Sequence, residues 1–186
     1  MKRRALFLDR DGVINVDHGY VHRPDQFTFI DGIFDLCRRA REQGYLIVVV
    51  TNQAGIGRGY YTEQAFHDLT AWMTQRFEAE GIDIAAVYFC PHHEQHGLGH
   101  YRRACRRRKP NPGMLLDAAQ DLAIDLAQSV LIGDKESDID AGRRAGLKRT
   151  VLLGNACDSH ADVTIEHLAD FWKALDRPNH SIPENS

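Results

Sequence analysis

The chain has 186 residues, of which 43% are hydrophobic and 26% are charged, so we expect one domain with its own core and exclude disordered, collagen-like and coiled-coil chains. The net charge of −3 gives no indication of nucleic-acid binding. No apolar stretch reaches the ~20 residues that span a bilayer, so the sequence does not predict a membrane protein. Four cysteines are too few for a disulfide framework, which favours a reducing cytoplasm.

Apolar runs and amphipathic stretches alternate along the chain. In order, the predicted elements are strand 5–8, helix 31–43, strand 45–50, helix 62–77, strand 84–90, helix 114–122, strand 129–132, helix 136–145, strand 150–153 and helix 166–175. The run 45–50 is continuous and rich in β-branched residues, as is typical of a strand covered on both faces. Thr62 is a capping residue type, and Gly44 and Gly146 follow two of the helices as stop signals.

This alternation predicts an α/β fold, a three-layer α/β/α arrangement with a central parallel sheet. Such sheets bind ligands beyond the carboxyl ends of their strands. Two stretches lie outside the pattern. Segment 92–112 is a ~20-residue loop, and a loop of this length indicates a functional or structural role. Segment 176–186 is a polar tail that we expect to be disordered. We therefore assign 1–175 to one domain with short loops and no large cap domain.

Polar side chains follow several of the predicted strands. Asp9 and Asp11 come after the first strand, Thr51 after the second, and Asp134 after the fourth, while Lys109 precedes a helix. Because the carboxyl ends of parallel strands meet at one edge of a sheet, we expect these side chains to converge there. Clustered carboxylates repel one another unless a cation joins them, and oxygen ligands of this kind suit Mg²⁺.

The converging side chains have the chemistry of phosphoryl transfer. Asp9 could attack phosphorus as a nucleophile and form an aspartyl-phosphate. Asp11, two residues further, could serve as general acid and then as general base. Lys109, Thr51 and Asn52 could supply charge and hydrogen-bond donors to the phosphoryl oxygens.

These residues also resemble a known family. Segment 7–13, the pair Thr51 and Asn52, Lys109, and segment 133–138 resemble the four motifs of the haloacid dehalogenase superfamily of phosphatases, which implies a Rossmann-like fold. A closer likeness, over 15–21, 51–53, 90–93, 108–110 and 112–114, is to the subfamily that removes a phosphate from heptose bisphosphates. Histidinol-phosphate phosphatases share the four motifs and a similar cysteine loop, and segment 15–21 favours the heptose alternative.

The resemblance implies a role for each matching residue. Asp9 is implied as nucleophile, Asp11 as proton donor, and Thr51 and Lys109 as stabilisers of the transferring group. Mg²⁺ is implied at Asp9, Asp134 and the backbone carbonyl of Asp11. The implied substrate site comprises Asp17, His18, Gly19, Tyr20, Thr51, Asn52, Gln53, Ala54, Arg108, Lys109 and Lys135. Ala54 stands where the subfamily commonly has serine.

The cysteine loop departs from the subfamily pattern. Cys90, His92 and Cys105 resemble three ligands of a structural zinc site, which in its closed form needs four. Arg107 stands at the fourth position, and arginine cannot bind zinc. Two alternatives stay open: the fourth ligand is a water or one of the nearby histidines, or the loop folds without metal. Those histidines are His93, His96 and His100.

A basic cluster accompanies this loop: Arg102, Arg103, Arg106, Arg107, Arg108 and Lys109. Arginine suits bidentate phosphate contacts, so the cluster favours recognition of a small phosphorylated sugar, with Arg108 as the best candidate. A solvated loop face is one alternative. A nucleic-acid-binding module is the other, but of the interleaved aromatic residues it needs only Tyr101 is near. We expect a cytoplasmic monomer whose partner is the substrate alone.

Overall fold

A computed structural model describes residues 2–155 and 158–176. The strands are β1 (Arg4–Leu8), β2 (Tyr45–Asn52), β3 (Ile84–Cys90), β4 (Val130–Gly133), β5 (Arg149–Leu153) and β6 (Val163–Ile165). The helices are α1 (Ile33–Glu42), α2 (Ala54–Gly57), α3 (Glu63–Ala79), α4 (Gly113–Asp121), α5 (Glu136–Ala145) and α6 (Phe171–Leu175). Short 3-10 turns cover Pro24–Gln26, Gly99–Tyr101, Leu126–Gln128 and Leu168–Asp170.

The six strands form one parallel sheet in the order β3-β2-β1-β4-β5-β6. The central strand β1 pairs with both β2 and β4, so that Leu6 lies opposite Ile47 on one side and Val130 on the other. The strand order reverses between β1 and β4. Such a reversal opens a crevice at the carboxyl ends of the two strands, where ligands bind. Asp9 and Asp134 directly follow these two strands.

Helices cover both faces of the sheet. Leu6 and Leu8 of β1 point into a core made with α1, α3 and α6, whereas Ala5 and Phe7 point into a core made with α4 and α5. This alternation along a strand, with apolar residues on both sides, is the pattern of a sheet buried on both faces. The predicted three-layer α/β/α, Rossmann-like fold is confirmed. No cap domain interrupts it within the described ranges.

Local signals in the sequence explain two of the helix ends. The Thr62 hydroxyl accepts a hydrogen bond from the Ala65 amide at 3.1 Å and caps α3 as predicted. Gly146 ends α5 in the left-handed conformation at φ 77°, which glycine adopts without steric cost. No helix in the described part of the chain combines the length and apolar character needed to cross a bilayer.

The carboxyl-terminal part differs from its prediction. The helix predicted at 166–175 is wrong over its first half, because Glu166 and His167 are not helical and a 3-10 turn precedes α6. Two short elements, α2 and β6, are absent from the predicted set. A strand of three residues at the sheet edge is too short to show periodicity. Apart from Asp176, the predicted disordered tail lies outside the described residues.

Candidate active site

Lys109 is the centre of the site. Its buried ammonium lies 2.9 Å from Asp9 Oδ1 and 2.6 Å from Asp138 Oδ1, and it donates to the Val50 carbonyl at 2.8 Å. Asn52, at the end of β2, holds the Lys109 backbone by accepting from its amide at 3.0 Å and donating to its carbonyl at 3.1 Å. The long loop therefore delivers its lysine to the carboxyl ends of β1 and β2, where the sequence predicts it.

Burial and neighbouring charges both shift the pKa values of these groups, in opposite directions for Asp9 and Lys109. Burial raises the pKa of Asp9, and the nearby Lys109 opposes that rise. Burial alone would lower the pKa of Lys109, but Asp138 and Asp9 raise it above its usual value, so the ammonium stays charged. Burial and the neighbouring Asp9 raise the pKa of Asp134 to about 7. Lys109 contacts two of the three acidic side chains and Lys135 lies 3.4 Å from the third, Asp134, so the three carboxylates still exceed the two lysines by one charge.

The carboxylates fit a magnesium ion. Oxygens of Asp9, Asp134 and Asp138 lie within 4.8 Å of one another. Within the described ranges nothing donates a hydrogen bond to Asp134 Oδ1, although that atom is buried. A buried, unpaired carboxylate oxygen is costly, and a hard cation relieves that cost. Asp138 is one of the groups that sequence reasoning missed. Its only sequence signal is its place in the segment 133–138, four residues after Asp134.

Gly12 explains how Asp134 can approach β1 so closely. Its φ of +93° is rarely adopted by other residues, and a Cβ there would lie 2.2 Å from Asp134 Oδ2. We predict that Gly12→Ala displaces the Asp134 carboxylate and raises the Mg²⁺ concentration for half-maximal activity by about tenfold or more. A magnesium titration of phosphate release measures this. Gly44→Ala is the matched control, since Gly44 has a φ of +81° and open space around it. Equal magnesium dependence in the two variants would contradict the prediction.

The Asp11 carboxylate is held by three side chains. Arg10 Nη2 lies 2.9 Å from both of its oxygens, Asn15 Nδ2 donates to Oδ1 at 3.0 Å, and Gln53 Nε2 donates to Oδ2 at 3.0 Å. Arg10 is only 1% exposed and also donates to the Val21 carbonyl at 2.6 Å. The sequence prediction gave no role to Arg10 or Asn15, although both lie in segments that carry the family resemblance, 7–13 and 15–21.

A cavity of about 580 Å³ opens above these groups. Its lining contains Asp9 and Asp11 together with Asp17, Gly19, Tyr20, Asn52, Gln53, Ala54, Arg108, Lys109 and Lys135. These last nine are predicted substrate residues. Residues that the prediction omitted also line it: Gly55, Tyr61, Pro110, Ser137 and Asp138.

Two predicted substrate residues do not line this cavity. His18 is exposed to solvent, away from the lining, and Thr51 is 1% exposed behind the cavity wall. The Thr51 hydroxyl accepts a hydrogen bond from Gln53 Nε2 at 2.8 Å. As the structure stands, Thr51 is therefore turned towards Gln53.

Basic residues border the cavity on two sides. Lys135 lies 3.4 Å from Asp134 and 3.2 Å from Asp17, and these carboxylates raise its pKa although partial burial acts in the opposite direction. Arg108 is half-buried and donates to the His92 carbonyl at 3.2 Å. The cavity thus has two cationic groups in its walls in addition to Lys109 at its base.

The rest of the basic cluster has a different role. Arg106 and Arg107 each lie 2.6 Å from a different oxygen of the Asp117 carboxylate on α4. These ion pairs fasten the long loop to the helix that follows it. The predicted cluster therefore divides, and only Arg108 and Lys109 of its members line the cavity.

The predicted zinc ligands do come together. Donor atoms of Cys90, His92 and Cys105 lie within 4.8 Å of one another, with Cys90 Sγ 3.8 Å from His92 Nδ1. A closed structural site needs a fourth ligand, and none joins this group among the residues that are described. Arg107 is paired with Asp117 instead. Zinc binding at these three residues stays a prediction.

Comparison with known proteins agrees with this geometry. A family model described as "HAD-hyrolase-like" matches residues 106–172. The chain is 57% identical over 161 residues to the D-glycero-alpha-D-manno-heptose-1,7-bisphosphate 7-phosphatase of Burkholderia mallei, with 87% of this chain and 84% of that protein covered. It is 49% identical over 153 residues to the D-glycero-beta-D-manno-heptose-1,7-bisphosphate 7-phosphatase of Vibrio cholerae, with 82% of each covered.

A solved structure shares the fold over nearly the whole chain. The D,D-heptose 1,7-bisphosphate phosphatase of B. bronchiseptica, complexed with magnesium and phosphate, superposes with a TM-score of 0.78 at 27% identity. The match covers 91% of this chain and 96% of that one. The chain is therefore a phosphoric monoester hydrolase of the HAD superfamily, and it belongs to the family of the D-glycero-D-manno-heptose-1,7-bisphosphate 7-phosphatases.

Proposed function

We propose that this enzyme removes the 7-phosphate of D-glycero-D-manno-heptose 1,7-bisphosphate and releases heptose 1-phosphate. The observation that carries the proposal is the placement of Asp9 against Lys109 in a cavity that Arg108 and Lys135 also line, with an oxygen of Asp134 within 4.8 Å of Asp9. The base has the groups for phosphoryl transfer, and the walls have cations for a second phosphate. A bisphosphate of a small sugar satisfies both.

The first chemical step is attack by Asp9 on phosphorus. The backbone amide of Arg10 and the Lys109 ammonium both contact Asp9 Oδ1, at 2.8 and 2.9 Å, so Oδ2 is the oxygen left to attack. An Asp9–phosphorus bond forms, the bond from phosphorus to the sugar oxygen breaks, and Asp11 gives its proton to that oxygen. The products of this step are heptose 1-phosphate and an aspartyl-phosphate.

The second step returns the enzyme to its starting state. Asp11 takes a proton from water, the resulting hydroxide attacks phosphorus, and the Asp9 carboxylate leaves as inorganic phosphate forms. Asp9, Asp134 and the backbone carbonyl of Asp11 would hold Mg²⁺, which when bound supplies positive charge to the phosphoryl oxygens. Lys109 contributes a further fixed charge close to the same oxygens.

Release of inorganic phosphate from defined substrates tests the proposal. The wild-type enzyme, with Mg²⁺, is given the α and β anomers of heptose 1,7-bisphosphate and, separately, histidinol phosphate. Both anomers are used because the relatives named above include one phosphatase for each. Release from at least one anomer, faster than from histidinol phosphate, supports the proposal. Preference for histidinol phosphate would move the assignment to that alternative, and failure on all three would reject both.

Arg108 is proposed to bind the 1-phosphate. We predict that Arg108→Gln raises the KM for heptose 1,7-bisphosphate about tenfold or more, since a charge-assisted phosphate contact is lost in a half-buried site. The KM for heptose 7-phosphate, which has no second phosphate, will change little. Arg102→Gln is the matched control, because Arg102 is exposed and lies outside the cavity lining. Equal effects of Arg108→Gln on the two substrates would contradict the assignment.

The remaining expectations concern location and assembly. The cytoplasmic location, the monomeric state and the lack of a nucleic-acid partner stay predictions from the sequence.

A further inference from the structure

Gln53 is nearly inaccessible although it belongs to the cavity wall. The residue is 1% exposed, and both the nitrogen and the oxygen of its side-chain amide form hydrogen bonds. Nε2 donates to Asp11 Oδ2 at 3.0 Å and to Thr51 Oγ1 at 2.8 Å, while Oε1 accepts from the Tyr61 hydroxyl at 2.5 Å. Its amide is thus fully engaged with protein groups. It joins the proton donor of the proposed reaction to Tyr61, which lies two residues before α3.

The orientation of this amide depends on Tyr61. The two ends of a glutamine amide have almost the same shape and differ only in hydrogen bonding. A donor at Oε1 fixes that end towards Tyr61 and so fixes the two N–H groups towards Asp11 and Thr51. Burial raises the pKa of Tyr61 to about 12, so the phenol keeps its proton and remains the donor.

Tyr61 is itself held in place. Its ring is stacked on His22, with centroids 5.0 Å apart and an interplanar angle of 3°. A Cβ at Gly55 would lie 2.3 Å from the Tyr61 ring, so α2 passes as close to the tyrosine as a backbone can. Because the Tyr61 ring is already held in place, its hydroxyl can donate to Gln53 without a further loss of conformational entropy of the tyrosine side chain.

We propose that Tyr61 is a positioning residue for catalysis, which acts through Gln53 to hold the Asp11 side chain in place. This inference rests on the proposed function, in which Asp11 transfers the proton to the leaving oxygen. Tyr61 need not touch the substrate for this role. With phenylalanine at 61, the Gln53 amide is free to rotate, and Asp11 then loses the N–H donor that holds its orientation.

The test compares two leaving groups. A sugar oxygen needs the proton from Asp11, whereas p-nitrophenolate leaves without protonation. Tyr61→Phe is expected to lower kcat/KM for heptose 1,7-bisphosphate about fivefold, the effect of one hydrogen bond, and to leave kcat/KM for p-nitrophenyl phosphate within about twofold of wild type. Tyr88→Phe is the matched control. It removes a hydroxyl that donates to Asp121 at 2.9 Å, outside the cavity, and both substrates should be unaffected.

A double-mutant cycle provides the second measurement. Gln53→Leu removes the amide that links Tyr61 to Asp11, so Tyr61→Phe should cause no further loss of kcat/KM in that background. Two outcomes would overturn the proposal and leave Tyr61 a purely structural residue. In one, Tyr61→Phe lowers kcat/KM by the same factor in the Gln53→Leu background as in wild type. In the other, it lowers kcat/KM equally for both substrates. If the wild-type enzyme leaves heptose 1,7-bisphosphate intact, the proposed function fails. The same comparison, run with an alkyl phosphate that the enzyme does hydrolyse, then decides the role of Tyr61.

Discussion

Asp9→Asn will lower phosphate release by about 10⁴-fold or more, because the amide of asparagine cannot form the covalent intermediate. The variant is expected to be at least as stable as wild type. Burial raises the pKa of Asp9, which means that the fold disfavours its charge, and a neutral amide avoids that cost. Lys109 keeps the Asp138 carboxylate at 2.6 Å as a partner after the change. Activity and stability should therefore move independently.

The measurements are phosphate release under saturating substrate and urea unfolding of the same preparations. Asp35→Asn is the control, since Asp35 is an exposed carboxylate on α1, paired with Arg38 at 2.6 Å on the surface. Such a pair contributes little, so neither activity nor stability should change measurably. Retention by Asp9→Asn of more than a few per cent of wild-type activity would show that Asp9 is not the nucleophile.

Lys109→Met will cost both activity and stability. It leaves the Asp9 and Asp138 carboxylates buried without their shared cation, and removing one partner of a buried ion pair costs about 3–5 kcal/mol. Activity should fall about 10²–10³-fold, the usual loss when a charge on the transferring group is removed. Here the free energy of unfolding decreases together with turnover, which is the opposite of the pattern expected for Asp9→Asn.

Magnesium gives this prediction a second, independent readout. The ion binds the folded protein and stabilises it according to its affinity, and the affinity should rise when Lys109 no longer competes for the carboxylates. Urea unfolding with and without Mg²⁺ should therefore show a larger stabilisation in Lys109→Met than in wild type. Lys148→Met, at an exposed position before β5, serves as control. A stability loss below about 1 kcal/mol would refute the central role assigned to Lys109.

Strong local patterns allowed much of the fold to be predicted. The covered strand at 45–50 and the Thr62 cap of α3 were both predicted correctly. Such signals can be predicted because they depend on near neighbours in the chain. The helix predicted at 166–175 was wrong over its first half: Leu168 and Phe171 are both buried in the core at helical spacing, but the backbone from Leu168 to Asp170 is a 3-10 turn. Periodicity shows which residues are buried, and the tertiary structure decides how the backbone between them runs.

The sequence by itself determined the fold class and the meeting of Asp9 and Asp134, because parallel strands bring their carboxyl ends to one edge whatever the loops do. Lys109 lies on the long loop, and the family resemblance predicted its place beside them. Only the tertiary structure decided what surrounds those groups. Gln53 faces inwards to Asp11, Arg10 is buried beside the same carboxylate, and Asp138 shares Lys109 with Asp9. These contacts depend on side-chain orientation, and no spacing along the chain specifies the direction in which a side chain points.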